Sequence, residues 1–185
     1  QDRQQGLLMY SQGKWVVLAQ AAFKDKVITA IVETADAGYL ITTLKQGVWL
    51  LKAGKLTHLA LPESIAAAHI YTASPINDHE YALGTTSDGV YIIEISQGFN
   101  KRTVQGKVVR HFDSDTRLQN NNVLSLFVDR EQNIWLGLDK GIDLVDYNSF
   151  IQTISPVYNT PAACYTALIY KNQLVIGTSD GLYKA

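Results

Sequence analysis

A pattern of apolar strand, polar turn, glycine and second apolar strand recurs along this chain and constrains its fold more than any other feature. The turns of successive copies end at Gly47, Gly89, Gly141 and Gly181, and half a copy precedes them at Gly6. These glycines are separated by 41, 42, 52 and 40 residues. Repeats of about 40 to 50 residues with four strands each are typical of β-propeller blades. The spacing therefore predicts an all-β fold built of such blades.

Each copy has the same internal order. Apolar first strands are predicted at 27–32, 69–73, 123–128 and 165–169. Polar residues that favour hairpin turns follow at 36–38, 77–79, 129–133 and 171–173. Fourth strands are predicted at 14–18, 55–59, 103–110 and 150–154. The glycine that opens each third strand is expected at positive φ, because the turn before it needs that conformation.

The second strands end in a small residue. Gly84, Gly137 and Gly177 take this place, and Thr42 replaces glycine in the first complete copy. A glycine inside a strand often marks a close approach of another chain segment. We therefore expect packing against the next blade to exclude a Cβ at these glycines.

The strand count predicts an incomplete ring. The chain opens on a third strand, contains three complete blades and closes on the first three strands of one more. In a closed ring the terminal strands usually complement each other within one blade, whereas here both ends supply a third strand. We expect a partial propeller from a longer protein, and an autonomous four-bladed ring is the alternative. The blade pieces are predicted near 1–20, 27–60, 66–110, 121–158 and 163–185.

Composition excludes several classes of protein. The chain has 16 Lys and Arg against 17 Asp and Glu, so no basic surplus exists to follow a phosphate backbone, and no nucleic-acid partner is expected. No apolar run approaches the ~20 residues of a membrane-spanning helix. The one cysteine, Cys164, excludes an internal disulfide and is expected to pack as a small apolar side chain.

Residues 121–143 closely resemble the two-component regulator propeller repeat. They read Asn-Asn-Val-Leu-Ser-Leu-Phe-Val-Asp-Arg-Glu-Gln-Asn-Ile-Trp-Leu-Gly-Leu-Asp-Lys-Gly-Ile-Asp. The family form is Asn-x-Val, an apolar strand, Asp-x-x-Gly-Asn, aliphatic-Trp-aliphatic-Gly-Thr and a terminal glycine. The chain departs from it at Gln132, where glycine is usual, and at Leu138, where threonine is usual. The 137–143 variant is similar to sensor regions of hybrid two-component systems from Bacteroides-type bacteria.

The resemblance implies a function. Such propellers are periplasmic ligand-sensing ectodomains of inner-membrane sensor histidine kinases, which commonly detect glycan breakdown products and switch on polysaccharide-utilisation genes. We expect this chain to be a non-catalytic fragment of such an ectodomain, with the kinase and the membrane attachment elsewhere in the parent chain. Its expected partners are an oligosaccharide or another small polar ligand, the rest of the same polypeptide and a second copy as a homodimer. No cofactor is expected.

A polar insert at 111–122 is the main candidate for ligand binding. It follows a fourth strand and is expected on the same face as the turns between second and third strands, where propellers generally bind ligands. Its side chains can bond sugar hydroxyls or carboxylates. The candidate residues in the insert and the next turn are His111, Asp113, Asp115, Arg117, Asn121 and Asp139. The alternative is a solvated loop that is closed by its own Asx turns. For the turns between second and third strands, we favour the interpretation that their polar side chains bond to the turn's own backbone and not to a ligand.

The tryptophans and isolated polar residues leave other functions open. Trp135 is expected to pack between blades. For Trp15 and Trp49, packing and stacking on a sugar ring are both open interpretations. Asp113 and Asp115 lack the remaining positions of a Ca²⁺ loop, and the histidines lack metal-type spacing, so no metal or catalytic set is predicted. A propeller enzyme that acts on glycans and a protein-interaction scaffold are the alternatives.

Overall fold

The computed structural model describes residues 1–2, 4–97, 104–116, 118–149 and 163–184, which belong to two compact units, 1–148 and 149–185. Antiparallel strands dominate both units. The first unit contains β1 (Leu7–Ser11), β2 (Lys14–Ala19), β3 (Ile28–Glu33), β4 (Tyr39–Thr43), β5 (Val48–Lys52), β6 (Lys55–His58), β7 (Ile70–Pro75), β8 (Glu80–Thr85), β9 (Val90–Gln97), β10 (Val104–Phe112), β11 (Val123–Val128), β12 (Ile134–Leu138) and β13 (Ile142–Val145). Its short helices are α1 (Gln20–Phe23) and α2 (Glu63–Ala67). The second unit contains β14 (Cys164–Tyr170), β15 (Gln173–Thr178) and β16 (Gly181–Lys184).

Strands that follow each other in the chain pair with each other in every sheet. The first unit has a β1–β2 hairpin, the four-stranded sheets β3–β4–β5–β6 and β7–β8–β9–β10, and the three-stranded sheet β11–β12–β13. The second unit is the three-stranded sheet β14–β15–β16. The predicted strand at 150–154 lies outside the described residues. Elsewhere the repeat correctly predicted which segments form strands and in which order they pair.

The first strands of the blades share one irregularity that the sequence pattern did not predict. Each has a register shift near its start, between Ile28 and Ala30, Ile70 and Thr72, Val123 and Ser125, or Cys164 and Thr166. Such bulges increase the local twist of a strand pair. The repeat therefore extends to backbone geometry as well as to sequence.

The core of the first unit lies between successive sheets. Alternate residues of a strand face opposite sides, so one strand serves two interfaces. In β8, Tyr81 and Leu83 pack toward the β3–β6 sheet, whereas Ala82 packs toward the β11–β13 sheet. A third cluster joins the β1–β2 hairpin and Phe23 to the other side of the β3–β6 sheet. This face-to-face stacking is the arrangement of propeller blades.

The recurrent glycines adopt the predicted left-handed conformation. Their φ values are +73°, +66°, +101° and +140° at Gly47, Gly89, Gly141 and Gly181. The expected contact with the next blade is confirmed at Gly84, where a Cβ would lie 2.8 Å from Cγ1 of Val123, as well as 2.7 Å from Cγ2 of Thr72 in its own sheet. At Gly137 and Gly177 the nearest atoms all belong to the same sheet. There, contacts within the sheet limit the size of the residue.

Candidate functional site

The order of the strands divides the turns between two edges of each sheet. In an antiparallel sheet, the second-to-third turn and the link to the next blade lie at one end of the strands. The first-to-second and third-to-fourth turns lie at the other end. We call the first end, with the 86–89 and 139–141 turns and the 113–122 segment, the loop edge. We call the opposite end the hairpin edge.

The 113–122 segment bridges the turns of two neighbouring sheets at the loop edge. The backbone N–H of Gly89 donates to the carbonyl of Asn121 over 2.9 Å, and the N–H of Asp139 donates to the carbonyl of Asn122 over 3.1 Å. A Cβ on Gly89 would collide with the carbonyl oxygen of Phe112. Because of this close approach, the insert and the turns form one surface, as expected from the strand order.

Several of the predicted ligand-binding groups take part in closing this segment. The carboxylate of Asp113 accepts the N–H of Thr116 at 2.8 Å, and the amide oxygen of Asn121 accepts the N–H of Ser114 at 2.6 Å. Burial opposes ionisation of Asp113, but the bonds from Thr116 outweigh it and lower the pKa of that carboxyl. These contacts match the alternative of a loop closed by its own polar groups.

His111 is held between two carboxylates and a phenol ring. Its ring stacks on Tyr91 with centroids 4.1 Å apart and planes 9° apart. Its Nε2 lies 2.7 Å from the carbonyl of Asp88, so this nitrogen carries the proton, because a carbonyl only accepts. Nδ1 then faces Asp113 at 3.7 Å. The histidine thus joins the 86–89 turn to the start of the insert.

Within the described residues, Asp88, His111 and Asp113 form the one group of three side chains close enough to hold a cation. The hydroxyl of Tyr91 donates to the carboxylate of Asp88, and Nε2 of His111 is committed to the Asp88 carbonyl. Burial and then the bond to Asp88 raise the pKa of Tyr91 to about 12. The polar atoms of this group are therefore used in hydrogen bonds within the protein that connect the 86–89 turn to the start of the insert.

The other predicted binding residues have different environments. Asp115 and Asp139 are exposed at the loop edge and are available to a ligand. Arg117 lies outside the described residues. Sequence reasoning did not single out Tyr91 or assign a binding role to Asp88. The turn at Asp88 and Gly89 was visible in the pattern, but nothing signalled that Tyr91 would stack on a histidine 20 residues later.

One expectation about an individual side chain is wrong. Cys164 is exposed in the second unit and does not pack as predicted. Trp135 is 42% exposed, and its Nε1 donates to Asp129 over 3.0 Å, so its packing against a further blade stays a prediction. For Trp49 the packing alternative is correct, since its ring meets Phe23 edge-on with centroids 5.6 Å apart. Trp15 is exposed.

A concave surface lies at the hairpin edge, between the β3–β6 and β7–β10 sheets. It is a cleft of about 810 Å³, within the size range of small-molecule sites. Its polar lining residues are Thr34, Asp36, Lys52, Lys55, Thr57, Asp78, His79, Tyr81, Glu94 and Ser96, and Leu50, Ile95 and Val104 are among its apolar ones. None of the predicted binding residues that the structure describes lines this cleft. The repeat pattern gave no signal for it, because two separate blades form its walls.

The comparison with known proteins centres on the best copy of the repeat. Residues 117–140 match the sequence model of the two component regulator propeller family. This segment is therefore similar to one two-component regulator propeller repeat. No curated protein sequence matches the chain. Among the described residues, no helix is long and apolar enough to cross a bilayer.

Solved structures share the fold. The extracellular domains of the hybrid two-component systems BT3049 and BT4673 of Bacteroides thetaiotaomicron align over 97% and 96% of this chain, with TM-scores of 0.57 and 0.56 and identities of 23% and 21%. PorZ, a surface component of the type-IX secretion system of Porphyromonas gingivalis, aligns over 98% with a TM-score of 0.56 and 17% identity. The chain covers 24%, 24% and 30% of those structures. The fold is thus a partial β-propeller, as predicted.

The two departures from the two-component regulator propeller repeat have visible consequences. Gln132 stands where glycine is usual, and its φ is +65°. Leu138 stands where threonine is usual. In the preceding blade the equivalent Thr85 hydroxyl donates to the Gly89 carbonyl and accepts the N–H of Asp88, both over 2.9 Å. At Leu138 only the backbone bond to Gly141 closes the turn. The first turn of this blade is therefore more strained than that of its neighbour, and its second turn has fewer hydrogen bonds.

Proposed function

We propose that the chain is a non-catalytic, ligand-sensing part of a two-component signalling protein. The observation that carries the proposal is the similarity of residues 117–140 to a two-component regulator propeller repeat, in a fold shared with the extracellular domains of two hybrid two-component systems. In this proposal the chain is a piece of a larger ectodomain with the predicted blade pieces. That ectodomain lies in the periplasm, and its parent chain is anchored in the inner membrane and carries the kinase.

The proposed ligand is an oligosaccharide released from a complex glycan, and the proposed response is expression of polysaccharide-utilisation genes. The exposure of Asp115 and Asp139 at the loop edge supports ligand binding there. Asp113 and Asn121 act mainly by holding the segment in shape. Arg117 is proposed as a further ligand-binding residue from its place in the same insert.

Signalling follows from a shift between conformations. A ligand that binds one arrangement of the ectodomain more tightly than another changes their populations by its differential affinity. A second copy of the chain or the rest of the polypeptide would transmit that shift to the kinase. The propeller itself needs no chemical step.

The proposal is tested on the whole ectodomain that contains these residues. A thermal-shift panel of oligosaccharides should show a selective rise in Tm for one glycan family, since binding to the native state stabilises it by mass action. Asp115→Ala with Asp139→Ala should reduce that rise without changing the Tm of the unliganded protein. Asn121→Ala is the contrasting variant and should lower the unliganded Tm. If deletion of the ectodomain leaves gene induction by the glycan unchanged, the sensing proposal is wrong.

One observation favours a second candidate, a protein-contacting role. One face of the β11–β13 sheet presents exposed Phe127, Trp135, Ile142 and Leu144 within the first unit. PorZ, which has a similar fold, is a surface component of a secretion system. Replacement of Phe127 and Trp135 by serine in the whole ectodomain should then change its oligomeric state in sedimentation velocity. An unchanged sedimentation coefficient would count against this role.

A further inference from the structure

Tyr81 has a buried ring whose hydroxyl has no hydrogen-bond partner among the described residues. The residue is only 2% exposed, and its ring packs in the cluster between the β3–β6 and β7–β10 sheets. The hydroxyl oxygen itself is not buried, so this end of the side chain reaches the surface of the molecule. The ring is therefore held in place by packing, while the donor at its end is free for a ligand.

The hydroxyl end of Tyr81 lies on the cleft at the hairpin edge. Tyr81 is one of the cleft's lining residues. Burial raises its pKa, and the negative charges of Asp36 and Asp78, which also line the cleft, raise it further. The phenol therefore stays protonated near neutral pH and is available as a donor toward the cleft.

The other polar groups of the cleft divide into paired and unpaired sets. Asp36 is committed, because bonds from Lys52 and Thr34 hold it and lower the pKa of its carboxyl. Among the described residues, the charged or titratable side chains of the cleft without a hydrogen bond or ion pair are Lys55, Asp78, His79 and Glu94. The hydroxyls of Thr57 and Ser96 are likewise unbonded there. The cleft thus offers several free donors and acceptors beside the hydroxyl of Tyr81.

We propose that this cleft is a binding site for a neutral polyhydroxylated ligand, such as one or two sugar rings. A sugar hydroxyl can accept from Tyr81 and donate to Asp78, because it is both donor and acceptor. Leu50, Ile95 and Val104 offer apolar surface to the C–H face of a ring. The negative and positive charges that line the cleft nearly balance. The carboxylates are those of Asp36, Asp78 and Glu94, and the ammonium groups are those of Lys52 and Lys55. An anionic ligand would meet three carboxylates, and a cationic one would meet two ammonium groups.

The site would also couple two blades. Lys55 and Thr57 lie on β6 of one sheet, while His79 and Tyr81 belong to the next. A ligand that bonds to both walls would stabilise the interface between the sheets. This inference rests on the proposed ligand-sensing function only in its choice of a sugar, since the site is separate from the loop edge.

The test compares two tyrosine variants in the whole ectodomain. The probes are neutral glucose, maltose, cellobiose and xylobiose, with glucuronic acid and glucosamine as charged comparators, and binding is measured by calorimetry. Tyr81→Phe should weaken binding of the neutral probe by about tenfold or more, equivalent to ~1.4 kcal/mol. It should leave the unliganded Tm nearly unchanged, because the hydroxyl is not buried and makes no hydrogen bond within the described residues. Tyr71→Phe, on an exposed tyrosine that is not part of the cleft's lining, is the matched control and should bind normally.

A second variant keeps the test decisive if Tyr81→Phe does not fold. Thr57→Val keeps the shape of the side chain and should also weaken the neutral probe, whereas Tyr71→Phe should not. Unchanged binding in both Tyr81→Phe and Thr57→Val overturns the cleft site. Binding of only glucuronic acid or glucosamine, or of no probe at millimolar concentration, overturns the neutral-ligand assignment. If a probe binds and only Asp115→Ala weakens it, the sensing proposal stands and the cleft proposal falls.

Discussion

Tyr147 donates a hydrogen bond from its hydroxyl to Oε1 of Glu80 over 3.0 Å, although the two residues are 67 positions apart. Glu80 lies on β8, and Tyr147 follows β13 in the next sheet. Arg110 closes the contact from the other side, with its guanidinium 4.8 Å from the ring centroid and a bond to the Tyr147 carbonyl. These contacts therefore connect the β7–β10 sheet to the segment that follows β13 in the next sheet.

Replacement of Tyr147 by phenylalanine should destabilise the first unit. The buried ring remains, but the bond to the Glu80 carboxylate is lost, which costs about 1.5–3 kcal/mol for a bond to a charged group. Urea unfolding followed by tryptophan fluorescence measures the change in the free energy of unfolding. Tyr10→Phe, on an exposed tyrosine, is the control and should have no effect. Equal stability of Tyr147→Phe and the parent would show that the bond contributes nothing net.

The same pair predicts a loss of stability at high pH. Burial and the bond to Glu80 raise the pKa of Tyr147 from 10.0 to about 12. The folded state thus holds this proton more tightly than the unfolded state, and the stabilisation is complete below pH 10 and is lost as the pH rises through about 12. The difference in unfolding free energy between the parent and Tyr147→Phe should shrink over that window. A constant difference would contradict the assignment.

Alanine at Gly89 should destabilise the first unit more than alanine at Gly54. Both glycines have positive φ, +66° and +74°, so each variant gains about 1–2 kcal/mol of left-handed strain. At Gly54 nothing lies within 4 Å of the new Cβ, whereas at Gly89 it meets the Phe112 carbonyl. The Gly89 variant should therefore lose about 3 kcal/mol or more. Chemical denaturation of the two proteins side by side provides the comparison, and equal losses would mean that the insert moves freely away.

Glycine at two strained turn positions should stabilise the protein. Ala37 has φ +59° and Gln132 has φ +65°, at equivalent places in the turns after two first strands. Glycine adopts these angles without strain, so Ala37→Gly should raise the unfolding free energy by about 0.5–1 kcal/mol. Gln132→Gly should gain less, because its side chain accepts a bond from Asn148 over 2.7 Å. Ala35→Gly, in the same turn but without positive φ, should lose stability instead, and a gain there would refute the strain argument.

Acid should weaken the insert through Asp113. The folded-state pKa of this carboxyl lies below its ordinary value of 3.8, because the bonds from Thr116 outweigh the opposing effect of burial. The stabilisation is present above the unfolded pKa and is lost as the pH falls through the lower folded value. Asp113→Asn should therefore be less sensitive to acid than the parent in hydrogen exchange of the 113–116 amides. Parallel pH profiles for the two proteins would assign the acid response to other carboxylates.

The regular part of the fold was predictable because its causes are local. The alternation of apolar residues placed strands such as β8 and β11, and the glycine spacing placed Gly89 and Gly141 at positive φ. The residues of the insert were also placed correctly against the neighbouring turns. The sequence left two alternatives for their side chains, which were ligand binding and closure of the loop. The hydrogen bond that Asn121 accepts within the loop shows that its side chain closes the loop.

Predictions that depended on a side chain's distant neighbours were less successful. Trp135 lies on the predicted second strand, but its exposure depends on what covers that face of the sheet. Cys164 begins an apolar strand and is nonetheless exposed. Period and composition describe which face of a strand a residue occupies. They do not describe what lies opposite that face.

The sequence by itself determined the blade repeat, the order of the strands and the turns, since each follows from alternation and turn chemistry within a few residues. Tertiary structure alone decided that Tyr81 ends at a cleft, that Tyr147 reaches Glu80 and that His111 stacks on Tyr91. These contacts join strands or blades whose separation along the chain carries no information about distance in space. The packing of one twisted sheet against the next sets that distance.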